Sequence, residues 1–125
     1  MPTSRQLALR CARVCESKKA TDIVILDMSK HTFITDYFVI CSTQSERQSK
    51  AIADHLALEL KQAGVPRLGM EGAETGRWVL QDFGGVIVHV FLESVRGFYD
   101  LEALWEDAPR LPFAPKRRKP KKKGL

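Results

Sequence analysis

Long hydrophobic runs are missing from this sequence, because no stretch approaches the roughly 18 apolar residues that a membrane-spanning helix needs. Glycine and proline are far below the content of collagen or of a low-complexity chain, with eight and six copies among 125 residues, and no internal repeat is present. These absences exclude membrane-spanning, collagenous and wholly disordered classes. The whole sequence is 44% hydrophobic and 28% charged. This composition is typical of one globular domain that buries enough surface to fold without a metal or a disulfide framework.

Cysteine occurs only three times, which is an odd number in a chain without a secretory signal. Reduced thiols in a reducing compartment are therefore expected. Cys11 and Cys15 share a helix face at i, i+4 spacing, and His31 would be the further ligand of a metal site. The neighbouring side chains are apolar, so we predict that these two thiols are buried and inert. We predict neither a metal site nor a cofactor.

Basic charge is concentrated at one end of the chain. The formal net charge is +5, and seven of the 20 basic residues lie between positions 116 and 123. Residues 1–115 carry 13 basic and 15 acidic side chains, a net charge of −2. An argument for nucleic-acid binding from composition therefore concerns the tail rather than the folded surface.

The first twenty residues allow two interpretations. Arg5, Arg10 and Arg13 give the segment the basic, amphipathic character of an organellar transit peptide. Leu7, with further apolar residues at i+4, i+7 and i+8, instead indicates one buried face of a domain helix. A strand follows at once and leaves no spacer for cleavage, so we favour the domain helix and expect a cytoplasmic protein.

Hydrophobic periodicity predicts the remaining elements. Residues 23–26 and 37–41 form two buried strands, and Ser45 begins a helix with a capping box that includes Gln48. A short strand at 67–70 would complete a crossover unit with that helix. Strands 77–81 and 86–91 would then form a hairpin around Gly84 and Gly85.

A final helix is predicted from the spacing of apolar residues near the C-terminus, which would pack one stripe on the body: Phe98, Leu101, Leu104 and Trp105. Pro109 is expected to end regular structure. The predicted fold class is α/β, with a mixed β-sheet of about five strands flanked by helices. Residues 1–108 would form the domain, and residues 109–125 a flexible tail rich in proline, lysine and arginine.

Five ordered sequence blocks resemble the ribosomal silencing factor, or Iojap, family over roughly residues 4 to 106. They are residues 34–41 (ITDYFVIC), 45–48 (SERQ), Glu71-Gly72 followed by Trp78, 86–91 (VIVHVF) and 98–105 (FYDLEALW). The resemblance implies a nucleotidyltransferase-like fold. It also implies a factor that binds the large ribosomal subunit on large-subunit protein fourteen, blocks joining of the small subunit and represses translation when nutrients are short.

That resemblance predicts steric action rather than catalysis. The site residues expected are therefore residues that bind a partner. The side chains that match the family pattern are Glu71, Trp78, Arg96, Tyr99 and Leu101. Trp78 is equally explained as a core residue of its strand, and so is Leu101 of its helix. Tyr99 is expected to face outward if its helical neighbours fill the buried stripe.

Catalysis is the first alternative function. A nucleotidyltransferase needs a close pair of carboxylates for magnesium and a phosphate cradle, but Asp36, Asp82 and Glu93 are dispersed in the sequence. His89 lies in an apolar strand, where a partly buried histidine with one hydrogen bond to the fold is expected more than a general base. We therefore predict no enzymatic activity.

RNA binding is the second alternative function, with the basic tail as the binding element. The body lacks the aromatic strand and the glycine clamp of common RNA-binding modules. A contact of the tail with ribosomal RNA and a solvated tail without a specific contact both remain open. A free sheet edge also leaves a homodimer open.

Overall fold

The computed structural model describes residues 2–114. Four helices and six strands form the regular structure of this part of the chain. In order they are α1 (Ser4–Ser17), β1 (Thr21–Asp27), β2 (Tyr37–Thr43), α2 (Glu46–Gln62), β3 (Gly69–Glu71), β4 (Trp78–Asp82), β5 (Val86–Leu92), α3 (Glu93–Tyr99), α4 (Leu101–Leu104) and β6 (Arg110–Leu111). This arrangement confirms the predicted α/β class.

All six strands belong to one mixed sheet with the order β3-β4-β5-β2-β1-β6. The β2–β5 pair is parallel, and the other strand pairs are antiparallel. The hairpin of β4 and β5 turns at Gly84, whose φ of +87° suits glycine. The crossover from β2 does not end at β3, as the order of elements in the sequence suggested. It reaches β5, because β3 lies at the sheet edge beyond β4.

Helices α1 and α2 cover one face of the sheet, where the larger hydrophobic core lies. The Thr3 hydroxyl caps α1 by accepting from the backbone N–H of Gln6, and the Gln6 side-chain oxygen accepts from the backbone N–H of Thr3. Cys11, Cys15 and Cys41 are free thiols in this core. The prediction that the thiols are buried is therefore confirmed.

The N-terminus of α2 confirms half of its predicted capping box. The Ser45 hydroxyl accepts a 3.0 Å hydrogen bond from the backbone N–H of Gln48. The Gln48 carboxamide oxygen, however, accepts from the N–H of Gln44, one residue before the cap, at 2.8 Å. The two hydrogen bonds still satisfy two backbone donors at this helix start.

Regular structure continues beyond Pro109, so the prediction that it ends there is wrong. Strand β6 pairs with β1 through the register Ile25 to Leu111. The side chain of Arg13 then stacks on Phe113 at 4.4 Å and donates to the carbonyl of Ala114 at 2.8 Å. The rest of the predicted tail, from residue 115 onward, lies outside the described residues.

The C-terminal helix is broken rather than continuous. Asp100 has a φ of +47° and separates α3 from α4. This left-handed residue changes the helical phase, so Phe98 is 82% exposed and Leu104 is also exposed. The predicted buried stripe is therefore wrong for these two side chains, whereas Leu101 and Trp105 pack on the second face of the sheet. Among residues 2–114, no helix is both long and apolar enough to cross a bilayer.

Candidate functional site

The second face of the sheet carries an aromatic patch, defined here as Trp78, Phe98 and Tyr99. The rings of Trp78 and Tyr99 lie 4.6 Å apart, and those of Phe98 and Tyr99 lie 5.1 Å apart in an edge-to-face arrangement. Trp78 is half-buried, whereas Phe98 and Tyr99 are exposed. Clustered, partly exposed aromatic rings are typical of protein interaction sites.

Strand pairing places Trp78 in this patch. Its register partner is Phe91 on β5, and the two rings stack at 4.9 Å with an interplanar angle of 27°. Alternation along β4 turns Val79 and Gln81 toward the helices on the opposite face, where both are buried. Trp78 therefore contributes to the core with one side and to the surface with the other, which combines the two interpretations made from the sequence.

His89 lies directly beneath the patch in the central strand β5. Its Nδ1 accepts a 3.1 Å hydrogen bond from Nε1–H of Trp78, and its side chain is buried, with 4% of the residue exposed. Burial lowers the pKa of His89 from 6.5 to about 4. The predicted single hydrogen bond is present, and the side chain is buried more completely than the partial burial predicted from the sequence.

A groove of about 560 Å³ runs beside the patch, between the start of β4 and helix α3. The patch forms its aromatic wall, and Thr75, Arg77 and Ser94 add polar groups around it. This combination of apolar surface and a few polar groups suits the binding of a partner side chain or backbone segment.

Arg96 lies on the same helix as Phe98 and Tyr99, and its side chain is held within the chain. Only 12% of its side chain is exposed. Its guanidinium donates to both carboxylate oxygens of Glu102, at 3.1 and 3.0 Å, to the carbonyl of Asp22 at 2.6 Å and to the hydroxyl of Ser42 at 2.8 Å. Arg96 thereby ties α3 and α4 to strands β1 and β2.

Glu71 and Leu101 border the patch in different ways. Glu71 is exposed on the edge strand β3 and pairs in register with Leu80, so its side chain shares the sheet face of Trp78. Leu101 is half-buried and packs on the smaller core cluster, which Trp78 also contacts. Of the five residues chosen from the sequence, the structure brings the rings of Trp78 and Tyr99 into contact.

Phe98 is the member of the patch that the sequence did not identify as surface-forming. Its exposure follows from the left-handed conformation of Asp100, which only a few per cent of non-glycine residues adopt, although aspartate is enriched among them. The exposure of Phe98 therefore could not be predicted from the sequence.

Two of the carboxylates considered for catalysis accept hydrogen bonds from other groups of the fold. Asp36 accepts a 2.7 Å hydrogen bond from the hydroxyl of Ser4, and Asp82 accepts from the N–H of Gly84. Between residues 2 and 114, no group of three or more histidine, cysteine, aspartate or glutamate side chains is placed to hold a metal ion. These two carboxylates serve local turns and contacts in the fold.

Comparison with known proteins identifies one family. The family model described as "Ribosomal silencing factor during starvation" matches residues 1–124. The ribosomal silencing factor of Bacillus subtilis is 44% identical over 98 residues, which cover 78% of this chain and 83% of that protein.

A structural and a more distant relative extend the comparison. A crystal structure of a Chromobacterium violaceum protein superposes with a TM-score of 0.81 and 40% identity, covering 90% of this chain and 93% of that one. A mouse protein named for mitochondrial assembly of the ribosomal large subunit is 34% identical over 91 residues, or 70% of this chain and 40% of the mouse protein.

Proposed function

Because this chain belongs to the ribosomal silencing factor family, we propose that it binds the large ribosomal subunit and prevents the small subunit from joining. In this proposal the protein docks on large-subunit protein fourteen and represses translation when nutrients are limiting. The protein would act by occupying the surface on which it docks, with no covalent step. For the bacterial relatives these subunits lie in the cytoplasm, and we propose the same location here.

The observation that carries this proposal is the contact of Trp78 with Tyr99 on the second face of the sheet. The two rings form a surface that combines apolar area with a small number of polar groups. Aromatic anchors that a partner covers on binding contribute a large share of the binding free energy at protein interfaces. The name of the mouse relative, which refers to the ribosomal large subunit, supports a partner on that subunit.

The proposed roles of the five residues follow from their positions. Trp78, Tyr99 and Glu71 would contact the partner, since each is at least partly exposed on this side of the molecule. Arg96 and Leu101 would support them, because Arg96 is held by internal hydrogen bonds and Leu101 packs on the core cluster.

Steric exclusion follows from the size of the domain. A body of this length is about 30 Å across, which is much larger than the gap between two surfaces in contact. Once docked at the joint between subunits, it would keep the small subunit from closing on the large one.

The basic tail is proposed as a helper that contacts ribosomal RNA. The described chain ends at Ala114, whose carbonyl accepts from Arg13 on α1. Helix α1 covers the sheet face opposite to the aromatic patch, so the last described residue lies on the side away from the patch. Docking through the patch is therefore proposed to be separate from the contact of the tail.

Cosedimentation with purified large subunits tests this division. A form truncated after Ala114 keeps every described contact, including β6 and the Arg13–Phe113 stack. We expect it to bind at physiological salt, with a weaker salt dependence than the full chain, because seven basic residues have been removed. Complete loss of binding would instead favour an RNA-binding module that acts through the tail.

A further inference from the structure

We propose that His89 is a positioning residue for docking, whose Nδ1 holds the indole of Trp78 with its N–H turned toward the buried imidazole, so that the carbon edge of the ring is left for the partner. This inference rests on the proposed function, because it concerns the same surface. It assigns a role in docking to a buried side chain that would not itself contact the ribosome.

The direction of the hydrogen bond follows from the chemistry of the two rings. Indole Nε1–H is a donor only, so Nδ1 of His89 must be the acceptor in their 3.1 Å contact. An accepting Nδ1 carries no proton, and the neutral imidazole then carries its proton on Nε2. The structure therefore assigns His89 as the neutral Nε2–H tautomer.

The other ring nitrogen shows that this histidine is costly for the fold. Nε2 of His89 is buried and has no hydrogen-bond partner within the described residues. A buried donor without a partner destabilises the folded state, whereas an apolar side chain would avoid that cost. The surroundings are apolar, since the ring lies edge-to-face with Phe38 at 4.5 Å and near Phe91. The acceptor offered to Trp78 is what an apolar residue could not supply.

The aromatic neighbours of Trp78 restrict its ring without selecting the edge that points inward. Phe91 stacks on the indole at 4.9 Å and Tyr99 packs on it at 4.6 Å. Apolar contacts are non-directional, so a flipped indole with its N–H toward water would still contact these two rings. The hydrogen bond to His89 disfavours that alternative, and a side chain fixed before binding loses less entropy on docking.

The protonation state of His89 supports this role. Burial lowers its pKa to about 4, so the imidazole stays neutral at physiological pH and Nδ1 remains available as an acceptor. Trp78 is then held in the same orientation across the range of pH in which cells translate.

A matched pair of variants separates positioning from burial. His89→Asn and His89→Leu create side chains of nearly the same shape, but only asparagine keeps an acceptor on the first branch, near the position of Nδ1. Burial alone favours leucine, because the asparagine amide has unpaired donors. Positioning predicts the opposite order for binding, so stability and affinity are expected to rank the two variants differently.

Cosedimentation of the full-length proteins with large subunits measures affinity, and urea unfolding measures stability. We expect His89→Asn to bind within about threefold of the wild type and His89→Leu to bind about tenfold more weakly or worse, as for a disturbed anchor. We also expect His89→Leu to be at least as stable as His89→Asn. Binding of His89→Leu at the wild-type level, or losses of affinity that follow the losses of stability, would overturn the inference.

Nitrogen-15 NMR spectroscopy gives a readout that does not depend on the ribosome. The chain has two tryptophans, so the indole N–H signal that is absent in Trp78→Phe belongs to Trp78. We expect slow exchange of that proton with water in the wild type and in His89→Asn, and fast exchange in His89→Leu. The wild-type spectrum should also show the Nε2–H tautomer of His89, whereas an Nδ1–H tautomer would overturn the inference.

The two readouts distinguish failure of this inference from failure of the proposed function. If the wild-type chain does not bind large subunits, the proposed function is wrong, while tautomer and exchange still decide whether His89 orients Trp78. If both variants fail to fold, the tautomer measured in the wild type decides the same question.

Discussion

Arg96 and Glu102 are joined by two parallel hydrogen bonds, from Nε to Oε1 at 3.1 Å and from Nη2 to Oε2 at 3.0 Å, across the left-handed corner at Asp100. Bidentate pairs of this kind are stronger and more directional than hydrogen bonds between neutral groups. Nη1 of the same guanidinium reaches the sheet at Asp22 and Ser42. The corner that presents Tyr99 is thereby tied to the body of the domain.

Removal of the Arg96 guanidinium is expected to destabilise the fold. Arg96→Met keeps the aliphatic stem but leaves the partly buried Glu102 carboxylate without its main partner. We expect the free energy of unfolding to fall by about 2 to 4 kcal/mol, measured by urea denaturation.

Arg110→Met is the matched control for Arg96→Met. Arg110 lies 3.8 Å from the same carboxylate, but 59% of its side chain is exposed. We expect a change of no more than about 0.5 kcal/mol, because exposed ion pairs contribute little. Equal losses in the two variants would contradict the role assigned to the buried pair.

Tyr99→Ala is expected to weaken docking more than folding. The ring is 48% exposed and contacts Trp78 at 4.6 Å, so its loss should lower the free energy of unfolding by about 1 kcal/mol. Affinity for large subunits should fall by about tenfold or more, as for a central aromatic anchor. Cosedimentation at a series of subunit concentrations measures the affinity.

Phe33→Ala controls for the loss of an exposed aromatic ring. Phe33 is fully exposed in the loop before β2, at the end of the sheet where Tyr37 pairs with Val86. Trp78 pairs at the other end of β5, with Phe91. We expect Phe33→Ala to bind like the wild type, and a loss equal to that of Tyr99→Ala would argue against a docking surface localised at the aromatic patch.

His89 is expected to make stability depend on pH. Its pKa is about 4 in the folded chain and near 6.5 when exposed, so between these values the unfolded state binds more protons. Stability therefore falls as the pH falls from about 6.5 to 4, by about 3 kcal/mol in total if burial is the whole cause. Urea unfolding at several pH values should show this loss in the wild type relative to His89→Leu, whereas parallel curves would contradict it.

The buried cysteines are expected to resist thiol reagents. Burial raises the pKa of Cys11 to about 12, and a hydrogen bond with Cys41 together with burial raises that of Cys15. Thiolate is the reactive form, so native protein at pH 8 should react at less than about a tenth of the rate measured in urea. A colorimetric disulfide reagent measures both rates, and rapid reaction of the native chain would contradict the burial of these thiols.

Local sequence signals predicted most of the secondary structure because each has a local physical cause. The helix of Leu7 and Cys11 follows from apolar spacing, and the hairpin at Gly84 follows from a backbone angle that glycine adopts without strain. The parallel pairing of β2 with β5 was not predicted. It depends on contacts between residues that are more than 40 positions apart in the sequence, such as Tyr37 and Val86. Strand β6 was missed for the same reason, since its two residues are ordered by β1 rather than by their own propensity.

The candidate site could be predicted only in part. Residue types and family resemblance pointed to Trp78 and Tyr99, and the structure brings their rings together. The internal hydrogen bonds of Arg96 depend on a bulge at Asp22 and a corner at Asp100, both at positive φ. No simple periodicity in the sequence reports these two conformations, so the environment of Arg96 became visible only in the folded chain.

The rate at which small and large ribosomal subunits associate, followed by light scattering with a saturating excess of this protein, tests the central claim most directly. We expect the wild-type chain to slow association strongly and Tyr99→Ala, at the same concentration, to slow it much less. Association at an unaltered rate in the presence of the wild-type chain would contradict the account.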